Sequence, residues 1–186
     1  MQKHIIKILC VLLAVNLIFS GYLFCKMEHA TVAHTSVKEV MESETPFYYI
    51  GDISFDDCSI GIGGLDNYNG LKAFFYKRQK KGDIVEYRSV ANGFTDTAII
   101  DFDHKTLSFA LDETPKHFQE LYPYIWFGFI SLDKAEKIRV TKSLGMNAGK
   151  LTRPQYRRFY YEGTEFAVWY VKTEVPNDNI TVTFEE

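Results

Sequence analysis

The sequence predicts a mainly β fold of the β-rich α+β type: an antiparallel meander closing as a small barrel or sandwich, with two short helices, preceded by one N-terminal transmembrane helix. Three observations predict it. Apolar and polar residues alternate with period two over many short segments, turn residues punctuate them at short intervals, and one long uncharged apolar run stands near the start.

The run comes first. Residues 1–7, with Lys3 and Lys7, read as a cytoplasmic tail, and residues 8–25 as a membrane anchor whose apolar part is ILCVLLAVNLIFSGYLF. About 17 apolar residues just reach across a hydrocarbon core and are long for a signal-peptide core. The basic flank holds the N-terminus in the cytoplasm and sends the rest across. The alternative is a signal peptide cleaved near Thr31-Val32-Ala33, which leaves a secreted or periplasmic domain. Phe24 before Cys25 stands where a lipoprotein site needs a small residue.

Residues 26–46 read as a stalk, in which Val37, Val40 and Met41 take helical spacing until Pro46. Residues 47–186 form the extracytoplasmic domain. Its strand candidates are 47–55, 58–62, 71–78, 84–90, 97–102, 106–111, 124–132, 137–144, 164–172 and 179–184. Turns are expected at Gly63-Gly64, Asn69-Gly70, Lys81-Gly82-Asp83, Asn92-Gly93, Glu162-Gly163 and Asn177-Asp178-Asn179. Two helices interrupt the pattern, one capped by Thr114-Pro115 with Phe118 and Leu121 on a face, one opened by Thr152-Arg153-Pro154 with Tyr156 and Phe159.

Charge narrows the partners. Of 21 basic residues three are Lys3, Lys7 and Lys26, so the remaining 18 face 24 acidic residues, a net −6 that argues against nucleic acid or an anionic membrane face as the main partner. Cys10 and Cys25 fall in the membrane segment, which leaves Cys58 as a lone thiol, expected buried, in a domain without a disulfide.

AIIDFDHKTL presents Asp101 and Asp103 in the manner of a phosphotransferase nucleophile and its acid. Lys105 stands two residues after Asp103, where Thr or Val is needed, and no parallel α/β framework follows. A hairpin explains it, with Ile100, Phe102, Leu107, Phe109 and Leu111 facing inward. Cys58 as a nucleophile needs His104 or His117 beside it. The Gly61–Gly64 run lacks the setting of a phosphate loop and reads as a strand end or bulge. Asp66–Gly70 has Tyr68 and Gly70 where a calcium loop needs oxygen ligands, so it reads as a turn. Lys77–Lys81 reads as a solvated hairpin tip. No catalytic, metal or cofactor site is therefore expected. The aromatic segments around Tyr124, Trp126 and Phe127, and around Trp169 and Tyr170, are the candidate partner or ligand surface.

The anchor, with CSIGI, NGLKAFFYKRQKKGDIVEYRSVANG and IIDFDHKTLSF behind it, resembles small single-pass inner-membrane accessory proteins of the ToxS and FidL-like type. The resemblance implies a non-enzymatic protein of the bacterial inner membrane, its C-terminal domain periplasmic, acting through a membrane-bound transcriptional regulator. An immunity or inhibitor protein, or a small barrel binding a hydrophobic or amphipathic ligand, is the alternative. Whatever the partner, the closing segment ITVTF, flanked by charge, is expected to be a sheet edge open to strand addition, which a proline at Thr181 would block.

Overall fold

The computed structural model describes residues 33–65, 70–96, 98–103, 106–161 and 163–185. The predicted tail, the membrane anchor, the start of the stalk, the Asp66–Asn69 turn, His104, Lys105 and Glu162 lie outside them. Among the described residues the first element is helix α1, Val37–Glu44. Ser36 caps it by accepting from Glu39 N, and the i, i+3, i+4 spacing of Val37, Val40 and Met41 buries all three. The helix stops where Thr45 turns extended.

The strands are β1 (Tyr48–Ser54), β2 (Cys58–Gly64), β3 (Leu71–Lys81), β4 (Ile84–Asp96), β5 (Ala98–Asp103), β6 (Thr106–Leu111), β7 (Lys116–Phe118), β8 (Tyr122–Ser131), β9 (Ile138–Lys142), β10 (Leu151–Thr152), β11 (Gln155–Tyr161), β12 (Thr164–Lys172) and β13 (Ile180–Phe184). They form sheets in the order β1-β2-β3-β4, β11-β12-β8-β7 and β10-β9-β13, plus the β5-β6 hairpin. Every strand pair is antiparallel.

Alternation stacks these sheets. Ile60, Ile62 and Phe75 of the first sheet meet Phe127, Phe129, Phe166 and Val168 of the second in one buried core. Met41, Val40 and Phe47 cover the other face of the first sheet, against Phe74 and Tyr76. Trp169 and Ala167 on the back of the second sheet meet Ile138 and Val140 of the third.

The sheets do not close into the barrel that was one expected form. Where β1 approaches β11, side chains take the place of a backbone ladder: a Cβ on Gly51 would lie 2.4 Å from the Phe159 ring. Arg157 donates to Asp52 O at the same seam.

Both predicted strand-domain helices are corrected. Thr114 N donates to Asp112 Oδ1 (3.0 Å), and Lys116–Phe118 pairs with β8 as a strand. Leu121 N donates to Phe118 O (3.0 Å), so the i, i+3 pair marks a turn rather than a helix face. Pro154 precedes β11, which pairs along its length with β12. Proline at a strand start loses no ladder bond, and Phe159 and Tyr161 then bury with period two.

The glycine run also needs a different reading. Gly61 and Gly63 lie inside β2, and a Cβ on Gly61 would lie 2.7 Å from the end of Met41 and 2.9 Å from Val37. They make room for α1 to approach the sheet. The bulge lies opposite, in β1, where register shifts between Tyr49 and Gly51. Asn92-Gly93 is likewise no turn, since β4 continues to Asp96 with a register irregularity beside Phe75. By contrast Gly82 (φ 63°), Gly163 (φ 78°) and Asn177 (φ 53°) occupy left-handed turn positions where turns were expected. Because α1 is a packed layer, the compact unit begins at Ala33 rather than at residue 47.

Candidate binding edge and groove

Among the described residues β13 is the last strand of the three-stranded sheet and has a ladder on one side only. Its register fixes which main-chain groups are used. Ser143 N donates to Asn179 O (2.9 Å) and Glu185 N to Lys137 O (2.9 Å). In an antiparallel ladder hydrogen-bonded pairs alternate with non-bonded ones, so Asn179, Thr181, Thr183 and Glu185 point their N–H and C=O at β9. Ile180, Val182 and Phe184 therefore point theirs outward. Side chains divide differently: Ile180 and Val182 pack against the core around Trp169, while Thr181 and Thr183 face solvent. Phe184 is 45% exposed.

The strand's start is firmly held. Buried Asp178 accepts from Ser143 N (3.1 Å) and Leu144 N (2.9 Å). Asn177 N donates to Pro123 O (2.9 Å) and Thr173 N to Tyr124 O (2.7 Å), which ties the 173–179 crossover to β8. At the other end Arg139 pairs with Glu185.

Beside that crossover lies an open groove of about 620 Å³ lined by Tyr122, Tyr124, Lys142, Lys172, Thr173 and Glu174. Lys142 Nζ donates to Lys172 O (2.7 Å), and Glu174 accepts from Met146 N (3.0 Å). Burial and the Asp57 carboxylate both hold the Tyr122 hydroxyl in its protonated form. Across Lys172 a second trough of about 360 Å³ runs between Phe55, Arg153 and Tyr170. Two tyrosine rings beside two ammonium groups suit an anionic group carried on an apolar body.

The five residues expected to form one aromatic surface are separated by strand alternation. Tyr124, 37% exposed, lines the groove. Tyr170 lines the second trough and meets Phe55 edge-on (5.3 Å, 87°). Trp126 is half-buried and stacked on His117 (3.9 Å). Phe127 and Trp169 are fully buried, in different cores, and present nothing to a partner. Neighbours in β12 and β8 point to opposite faces, so an aromatic cluster in sequence becomes two faces in space. The sequence alone shows neither the outward main chain of β13 nor the Lys142–Lys172 groove; the ITVTF alternation points only towards the first.

Ala98–Asp103 pairs with Thr106–Leu111 as a hairpin, Ile100 opposite Phe109 and Phe102 opposite Leu107. Cys58 is free and 1% exposed. Burial pushes its thiol up to about 12, with Asp57 and Asp56 adding to the shift and Lys172 opposing it. His117 stands on Trp126, on the face of its sheet away from Cys58. Among the described residues no three His, Cys, Asp or Glu side chains converge on a metal position.

In the folded chain at pH 8 iodoacetamide should leave the Cys58 peptide unmodified, read by mass spectrometry, and denaturant should release the reaction. The thiol's folded value lies above its unfolded value of about 9. Its contribution to stability is therefore complete below pH 9 and is lost as pH rises towards 12. Rapid native labelling would contradict this placement.

No family model, no curated protein and no solved structure matches the chain.

Proposed function

We propose that this chain is a membrane-anchored extracytoplasmic binding protein whose compact unit engages a protein partner by strand addition at β13. The observation that carries the reading is the outward row of main-chain donors and acceptors at Ile180, Val182 and Phe184, on a strand rigidly held at both ends. No catalytic group or cofactor is assigned. The apolar run at 8–24 supports the anchor, and the resemblance to ToxS and FidL-like proteins favours a membrane-bound regulator as partner, an immunity or inhibitor role being the other form of the same reading. A second reading, an amphipathic anion bound in the groove, is favoured by Lys142 and Lys172 beside Tyr122 and Tyr124.

The register chooses the variant that tests this. Thr181 N–H belongs to the β9 ladder, so a proline there damages the fold as well as the edge. Val182 N–H points outward, and a proline at an edge position facing solvent leaves the internal ladder intact. Val182→Pro should keep the wild-type circular dichroism spectrum, while partner recovery after in-membrane cross-linking should fall. A lost main-chain bond of about 1 kcal/mol with steric exclusion on top gives a decrease of about tenfold or more. A folded Val182→Pro variant that recovers its partner as well as wild type overturns the reading.

A further inference from the structure

The loop Ser143–Lys150 between β9 and β10 is fastened at several points. Besides the Asp178 bonds, Glu174 accepts from Met146 N (3.0 Å) and Asn147 Nδ2 (3.3 Å), and Gly149 N donates to Lys142 O (2.8 Å). Gly145 and Gly149 supply its two left-handed positions. Yet this fixed backbone holds Leu144 50% and Met146 92% exposed, with Lys142 and Lys150 on either side. Two bound carboxylates hold two apolar side chains in water, which makes sense if something apolar meets them.

A second basic and apolar tip shares this end of the sheets. The β3–β4 hairpin turns at Gly82 with Ile84 59% exposed and Lys77 and Lys80 exposed behind it. Arg78 N donates to Asp57 O (2.9 Å), which sets the hairpin beyond the β1–β2 turn. Phe55 of that turn touches Tyr170, and Lys142 reaches Lys172 O, so turn, hairpin and loop lie at one end. The chain also joins the unit here: His34 exchanges two main-chain bonds with Tyr87 (3.0 and 2.8 Å), and Tyr87 is the register partner of Arg78. Asp56, Asp57, Asp83, Glu86 and Glu174 offset part of the local charge, and the acidic balance of the whole chain disfavours an anionic surface elsewhere, but lysines still gather here where the apolar side chains protrude.

Eight residues, 25–32, separate the apolar run from Ala33. Fully extended they span at most about 28 Å, less than the width of such a domain. We infer that this end of the compact unit docks on an anionic bilayer surface, with Met146, Leu144 and Ile84 dipping to the headgroup–acyl boundary and Lys142, Lys150 and Lys80 on lipid phosphates. The inference rests on the reading of residues 8–24 as an anchor. The tether keeps the unit within reach of lipid, and local cations on an otherwise acidic domain select which end turns towards it.

The test uses the full chain with Cys10→Ser and Cys25→Ser, buried Cys58 retained, and Met146→Cys carrying an NBD fluorophore. It is reconstituted into phosphatidylcholine vesicles with and without phosphatidylglycerol, with doxyl-labelled lipid as quencher. Emission should shift blue and be quenched in the phosphatidylglycerol vesicles, whereas a label at Glu165→Cys, at the opposite end of β12, should stay unquenched. Lys142→Glu and Lys150→Glu should each weaken docking about fivefold. A blue-shifted label that lipid does not quench means burial against protein and overturns the proposal, as does an unshifted label. Equal quenching without phosphatidylglycerol overturns the electrostatic part. Carbonate-resistant flotation reports the anchor separately: a chain stripped by carbonate but still quenched at 146 beforehand would refute the anchor and leave the docking standing.

Discussion

Trp169→Ala is expected to cost the compact unit a large share of its stability. Trp169 is wholly buried between the second and third sheets, among Ile130, Ile138, Val140 and Ala167. Its indole fills the space left by a missing side chain across the sheet, since a Cβ on Gly128 would lie 2.5 Å from Trp169 Nε1. Truncating a buried tryptophan costs about 3–5 kcal/mol, against a typical total of about 5–15 kcal/mol. In a unit of this size that lowers Tm by roughly 6–20 °C. The comparator is Trp169→Phe. Among the described residues the indole Nε1 has no acceptor, so phenylalanine forfeits area and no hydrogen bond. It should cost clearly less than alanine in denaturant titration. If Trp169→Ala unfolds at the wild-type midpoint, the third sheet does not pack on the second as described. Because β13 is held on that sheet, partner binding by the same variant should fall together with its folded fraction on heating, which separates a fold defect from an edge defect.

Much of this architecture could be read from period-two alternation and turn residues, and the failures have identifiable causes. Thr-Pro and Arg-Pro suggest helix openings because proline suits a first helical turn, but proline suits a strand start equally well. At Pro154 the decision belonged to Phe159, Tyr161 and their ladder to β12. Phe118 and Leu121 have helical spacing, yet a tight turn produces it too. Gly61 and Gly63 looked like punctuation because a sequence does not show the helix that packs on them. The helix itself was visible, since Val37, Val40 and Met41 fall on one face. Its place as a layer of the unit was not, because spacing says which face is buried and not against what.

The binding surface was harder to read for a deeper reason. Aromatic density marks apolar content, and in β8 and β12 alternation sent Phe127 and Trp169 into two cores, while Tyr124 and Tyr170 stayed at the rim. ITVTF was legible as a terminal strand. Which of its amides face outward depends on the pairing of Asn179 with Ser143, a tertiary fact that the five letters do not contain. That parity moves the informative substitution from Thr181 to Val182. The hairpin around Asp101 and Asp103 was legible from local pattern alone, because both of its strands and its short loop are contiguous.

Strand addition at β13 has a direct signature in amide hydrogen exchange of the full chain in vesicles. Without a partner, Thr181 and Thr183 amides should exchange slowly, since they are bonded to β9, while those of Ile180, Val182 and Phe184 exchange at close to solvent rates. When the cross-linked partner is present at saturation, the three outward amides should become protected by orders of magnitude, with Thr181 and Thr183 little changed. Saturating partner that leaves Ile180, Val182 and Phe184 exchanging freely would contradict strand addition and place the contact elsewhere on the domain.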